Sequence, residues 1–210
     1  MTSTADTAQL ASRVRLVSWL SLAWMSIEGI VGVTAGVATN SIALLGYGLD
    51  STIQGIGSLV IIWRFTGTRI NSVQAEQRAQ KIVAVTFFLL APYIGAEAVR
   101  RLITGEQAEG SWIGIVLALI GITLMPVFGR AKRRLGNQLG SAATTGEGTQ
   151  NLLCAGLSLA ILLGLAANLF LGLTWADPLV ALILAVAAIH TGRNTWKGRG
   201  CTPAPGRDRG

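Results

Sequence analysis

Asp50 and Gln54 stand one helical turn apart in an otherwise apolar run, and Gln150 and Cys154 repeat that spacing in a second one. Residues four apart share a helix face. Two facing helices would therefore bring carboxylate and amide oxygens and one thiol sulfur to a single point, a donor set suited to a cation. The surrounding segments GYGLDSTIQ (46–54) and GEGTQNLLC (146–154) both read G-x-G-x-polar-x-x-x-polar, an internal echo. An ionised carboxylate near a bilayer centre costs about 2.5–3.5 kcal/mol on insertion scales, so Asp50 calls for a protein, water or ionic partner. Neither run contains Lys or Arg. A bound cation is the expected counter-ion, and an aspartate that packs neutral or pairs structurally is the alternative.

Other acids lie close by. Glu147, Gln150 and Cys154 are spaced i, i+3 and i+7, which makes Glu147 either a further ligand or an acid favoured by the helix N-terminus. Glu28, in WMSIEGIVG, either lines an ion path and carries a proton or makes a structural hydrogen bond to another span. Glu97 precedes Arg100 and Arg101 by three and four residues, the spacing of a local ion pair. His190 has no second histidine or acid beside it and reads as a surface residue. Cys154 as the nucleophile of an intramembrane enzyme lacks a nearby histidine base, so no enzyme activity and no prosthetic group are expected.

The elements that position these residues follow from composition. Of 210 residues, 51% are hydrophobic and 13% charged, and the mean hydropathy is +0.55, well outside the balance of a water-soluble domain. Six apolar runs, about 14–38, 41–63, 82–103, 111–129, 146–173 and 176–192, are long enough or nearly so to cross a bilayer. In lipid their backbone polar groups must be satisfied internally, which favours helices. The fold class is therefore an all-α membrane protein of six transmembrane helices.

The net charge of +7 falls between the runs instead of along one face, which argues against nucleic acid as a partner. Arg13 and Arg15 precede the first run, Arg64, Arg69, Arg78 and Lys81 separate the second and third, and Arg130, Lys132, Arg133 and Arg134 follow the fourth. Arg193, Lys197 and Arg199 follow the sixth, so the positive-inside rule places both termini in the cytoplasm. Arg100 and Arg101 lie at the opposite end, where they either snorkel or face Glu106 and Glu109. Asn40 or Ser41, and Asp177 before Pro178, read as helix-start residues. Trp19, Trp63, Trp112, Trp175 and Trp196 fit interfacial anchors. Pro92 and Pro126 are expected to bend their spans.

The domain plan is a cytoplasmic segment over 1–13, a membrane domain over 14–197 and a disordered tail over 198–210 containing Cys201. No removable signal peptide is expected.

The segment SIALLGYGLDSTIQGIGSLVIIW (41–63) resembles the second span of the cation diffusion facilitator family, in which S-x-A-L precedes a D-x-x-x-D metal motif. Asp50 matches the first aspartate, and Gln54 stands at the second. EGTQNLLCAGLSLAILLGL (147–165) resembles the span that carries H-x-x-x-D, with Gln150 at the histidine and Cys154 at the aspartate. ADPLVALILAVAAIHTGRNTW (176–196) looks like the family's sixth span. The resemblance is to a short, divergent branch without the family's cytoplasmic metal-binding domain.

It implies a cation-efflux-like transmembrane domain that carries a divalent metal ion outward across the plasma membrane, with proton antiport and homodimer formation as further implications. Asp50, Gln54, Gln150, Cys154 and Glu147 are the expected metal site, and Glu28 is the candidate for a proton or ion path. The partners are the metal ion and the lipid bilayer. Zinc is the first expectation for the ion, although neutral amides are weaker zinc ligands than imidazole or carboxylate. No G-x-x-x-x-G-K-[ST] signature is present, so transport would draw on gradients. The alternative is a membrane metal-binding or accessory subunit without turnover.

Overall fold

In the computed structural model, residues 4–39, 42–105, 112–171 and 176–198 are described. They form six α-helices: α1 (Thr4–Thr39), α2 (Ile42–Arg64), α3 (Val73–Thr104), α4 (Trp112–Leu139), α5 (Ala142–Leu171) and α6 (Ala176–Trp196). A short 3-10 helix, Gly67–Asn71, joins α2 to α3. Asn40, Ser41, Glu106, Glu109, Trp175 and Cys201 lie outside the described residues, as does the side chain of Asp177.

Among the described residues, Asp6–Ala38, Val73–Thr104, Trp112–Leu139 and Pro178–Trp196 are long and apolar enough to cross a membrane. The helices α2 and α5 carry most of the polar side chains of the interior. Helices α1, α2, α4 and α5 pack as a four-helix group, with α3 and α6 paired beside it.

Pairwise contacts fix the direction of every helix. Arg64 at the end of α2 donates from Nε to Glu76 in the first turn of α3 at 2.8 Å. Glu76 also accepts from Ser141 Oγ at 3.0 Å and from the Ala143 backbone N–H at 3.0 Å, tying both connections to the start of α5. An acid against an unsatisfied helix N-terminus is favourable. Gln80 of α3 donates to the Trp196 carbonyl at the end of α6. Ala11 and Val14 of α1 pack with Ile61, Phe65, Ala79, Val83, Ala143 and Ala188. All these groups therefore share one end of the molecule. It also holds Arg13, Arg15, Arg69, Arg78, Arg133, Arg134 and Arg193, and is called the basic end below. Successive helices run in alternate directions, and α3 carries the half-buried Arg100 and Arg101 at the opposite end.

Two helix boundaries differ from those expected. Helix α1 begins at Thr4, inside the segment expected to precede the membrane domain, and α4 continues to Leu139 where the apolar run ends near 129. The run Arg130 to Arg134, expected as a loop, is thus helical. The true turn comes at Gly140, whose φ of 62° suits a residue without a Cβ.

Small residues explain how α4 can extend: a Cβ on Gly129 would stand 2.8 Å from the Gly148 carbonyl, so only glycine permits this approach of α4 to α5. Pro92 and Pro126 lie inside helices that continue through them. Arg69 stacks over Trp63 at 5.1 Å and Lys81 over Trp196 at 5.9 Å, consistent with an interfacial belt at the basic end.

Candidate cation site

Polar side chains of α2 recur at Tyr47, Asp50, Ser51, Gln54 and Ser58, and those of α5 at Glu147, Gln150, Asn151, Cys154 and Ser158. Each set follows the i, i+3, i+4, i+7, i+11 rhythm of one helix face, and the second set lies 100 residues after the first at every position. Ser58 donates to Glu147 Oε1 at 2.6 Å, while Cys154 Sγ stands 3.8 Å from Asp50 Oδ2. Rising numbers on α2 thus meet falling numbers on α5. The two stripes run antiparallel and face each other. With α1 against α4 and α3 against α6, this is the arrangement of two inverted three-helix halves.

Three polar layers result. Nearest the end opposite the basic one, Glu28 accepts from Tyr47 Oη at 2.5 Å and from Ser51 Oγ at 2.9 Å. Both carboxylate oxygens are engaged, so the hydrogen bond to another span that the sequence left open is present. A carbon added at Gly121 of α4 would lie 3.3 Å from Tyr47 Oη, 3.4 Å from Ser158 Oγ and 3.6 Å from Glu28 Oε1. The three oxygens converge there.

The middle layer holds the expected ligands. Gln54 Nε2 donates to Asp50 Oδ2 at 2.8 Å, as the i, i+4 spacing implies. Asp50 Oδ1, Gln54 Oε1 and both polar atoms of Asn151 are buried without a hydrogen-bond partner. Leaving such groups unpaired costs about 1–3 kcal/mol each, which makes the layer incomplete as protein alone.

Thr86 of α3 approaches Gln150 Oε1 at 3.1 Å and the Val83 carbonyl at 2.7 Å. Its hydroxyl has one hydrogen, and the shorter contact takes it. Turning the Gln150 amide so that nitrogen donates to Thr86 then frees its oxygen for the interior. Met25, Met125 and Trp24 pack with Cys154 on the remaining side.

Glu147 belongs to a third layer, nearer the basic end, together with a residue that sequence reasoning placed elsewhere. Lys132, expected in a solvated loop, is 0% exposed within α4 and forms an ion pair with Glu147, itself 1% exposed. Its ammonium also donates to Ser21 Oγ at 2.5 Å and Ser58 Oγ at 3.1 Å. Runs two and five carry no cation of their own. In space, α4 supplies one. The signal was the spacing of Met125, Gly129, Lys132 and Gly136, all buried on one face.

A cavity of ≈ 70 Å³ reaches Asp50 from the end opposite the basic one, lined by Tyr47, Tyr93, Glu97 and Arg101 among others. At its mouth Glu97 holds Arg100 at 2.8 Å and Arg101 at 2.9 Å, the pairing its spacing implied. His190, the chain's one histidine, is exposed on α6. Among the described residues no three His, Cys, Asp or Glu side chains group as metal ligands.

The sequence profile of the cation efflux transmembrane domain matches residues 18–197. The chain belongs to the cation efflux family. Its relatives include Transmembrane protein 163 of Xenopus laevis, 27% identical over 148 residues, covering 70% of this chain and 53% of the relative. Uncharacterized transporter sll1263 of Synechocystis sp. is 26% identical over 195 residues, 89% of this chain and 62% of that protein. Uncharacterized transporter MJ0449 of Methanocaldococcus jannaschii is 24% identical over 178 residues, with 80% and 62% covered. The chain thus spans between 53% and 62% of the length of these relatives. Membership makes it a membrane protein of a cation-transport family.

Proposed function

We propose that the chain is the membrane domain of a secondary transporter that carries a divalent metal cation through the middle layer. Asp50 is the charged ligand, and Gln54, Gln150 and Cys154 complete the donor set. The observation that carries this reading is the pair of buried acceptor oxygens, Asp50 Oδ1 and Gln54 Oε1, that no protein donor satisfies. A cation in reach of both, with Cys154 sulfur beside them, would relieve that cost. Zinc fits a mixed oxygen and sulfur set and remains the first expectation. Glu147 is left out of the ligand set because an ammonium already occupies it, and Glu28 is assigned to the wall of the path.

Orientation follows from charge. With the basic end cytoplasmic, both helix-terminal segments face the cytoplasm and the cavity leading to Asp50 opens to the far side of the plasma membrane, as release from an exporter requires. Proton antiport and a homodimeric assembly are proposed on the family resemblance alone. The test is metal flux in proteoliposomes across a panel of divalent ions, with Asp50→Ala alongside wild type. Selective flux that Asp50→Ala abolishes is expected; flux that survives in Asp50→Ala at normal protein level removes the claim.

A second reading, a metal-binding or accessory subunit without turnover, is favoured by the absence of a three-ligand group among the described residues. It predicts binding without flux in sealed vesicles.

A further inference from the structure

The layer around Lys132 has a feature that the cation site does not need. Ser21, Ser58, Lys132 and Glu147 come from α1, α2, α4 and α5, one side chain from each helix of the four-helix group. The ammonium has three hydrogens and three acceptors, and it leaves none for water. Ser58 accepts from Lys132 and donates to Glu147; Ser21 accepts from Lys132 and donates to the Ser18 carbonyl at 3.1 Å. Ser58 follows Asp50 by eight residues on α2, about 12 Å along the axis at about 1.5 Å per residue. The knot therefore sits about two turns from Asp50 toward the basic end. The cavity that reaches Asp50 comes from the other side.

We propose that this knot is the gate that closes the basic-end half of the cation path, with the Lys132 ammonium acting as a tethered cation in the place a transported ion must pass. One Glu147 oxygen holds the lysine, and the other, Oε2, is buried without a partner, so the carboxylate keeps an acceptor ready for a passing ion. Opening the path requires the four helices to part at this layer, which breaks the knot. Lys132 is in this sense a positioning residue for alternating access, which rests on the transport reading given above.

The native Cys154 reports access. With Cys201→Ser as background, Cys154 is the only remaining cysteine, and its sulfur lies beside the carboxylate that lines the cavity. The reagent is a small, charged, membrane-impermeant methanethiosulfonate, applied without metal to vesicles of each orientation. In wild type, labelling is expected to be faster from the cavity side than from the basic end. Lys132→Met combined with Glu147→Gln, which leaves no unpaired charge, is expected to raise the basic-end rate and lower the other. The change in their ratio should be on the order of tenfold, as a modest bias between two states produces. Ser21→Ala, which deletes one acceptor, provides a milder variant expected to move the ratio in the same direction.

A purely structural knot would leave the ratio unchanged in both variants whatever their stability, which overturns the gate. Equal labelling from both faces in wild type overturns it as well. Zinc flux on the same vesicles separates the two readings. A shifted ratio without flux in any protein keeps the gate and sinks transport; flux lost in Asp50→Ala with an unshifted ratio keeps transport and sinks the gate.

Discussion

The Lys132–Glu147 pair makes a sharp energetic prediction because both partners are withdrawn from water and the ammonium has all its hydrogen bonds within the protein. Replacing Lys132 by Met leaves the carboxylate with Ser58 alone, and replacing Glu147 by Gln leaves an ammonium facing two hydroxyls and an amide. Each single change should cost about 3–5 kcal/mol, the penalty of stranding one member of a buried pair. That is about a fifth or more of a typical total stability of about 5–15 kcal/mol.

The double change removes both charges and fills nearly the same volume, so it should fall within about 1–2 kcal/mol of wild type, since neutral replacement of buried pairs is often close to neutral. The assay is reversible unfolding of the detergent-solubilised protein by a denaturing detergent, compared across the four proteins of the cycle. Additive costs would show that the groups do not interact. Single costs below about 1 kcal/mol, the value of a solvated surface pair, would show that water reaches the layer. Either result refutes the argument from burial.

Cys154→Ser should retain the fold, since sulfur and oxygen differ little in size, while weakening binding of thiophilic ions relative to harder ones; metal competition with the purified protein reads this. Gly148→Ala should destabilise by about 1–3 kcal/mol through overpacking, because the new carbon would meet the Gly129 carbonyl at 2.8 Å and the Arg133 backbone nitrogen at 2.9 Å, neither able to rotate away. An unfolding midpoint equal to wild type would refute that contact. Glu97→Gln removes a partly exposed ion pair and should change stability by only about 0–1 kcal/mol. It should also raise the KM for metal uptake from the cavity side severalfold with little change in kcat, by removing an acid that pairs with Arg100 and Arg101 at the mouth.

The helical plan was legible because six apolar runs separated by basic clusters leave few alternatives in lipid. The side-chain contacts of the candidate site were legible in outline because i, i+4 spacing is a local property: Gln54 does reach Asp50, and Cys154 faces it. Lys132 was hidden for the opposite reason. The segment RAKRR reads as a solvated turn by composition, and only the extension of α4 past Gly129 turns its middle residue inward among serines from helices more than seventy residues away in sequence. Composition marks where charge is abundant; it does not mark which of four neighbouring cations faces the core.

The 100-residue offset held more than the four candidate ligands first noticed. Extending it by one turn in each direction adds Tyr47 opposite Ser158 and Ser58 opposite Glu147, the pairs that build the outer and inner layers. An inverted pair of helices places its two ends on opposite sides of the central site, so unequal residues at symmetric positions make the two ends unequal. Tyr47 and Glu147 occupy equivalent positions. At one, a phenol closes on Glu28 beside the cavity that reaches Asp50; at the other, a carboxylate closes on Lys132. Under the proposed transport reading, the asymmetry that alternating access needs lies in the unlike residues at positions 47 and 147 of the repeat, and exchanging which end is sealed requires breaking one layer as the other forms.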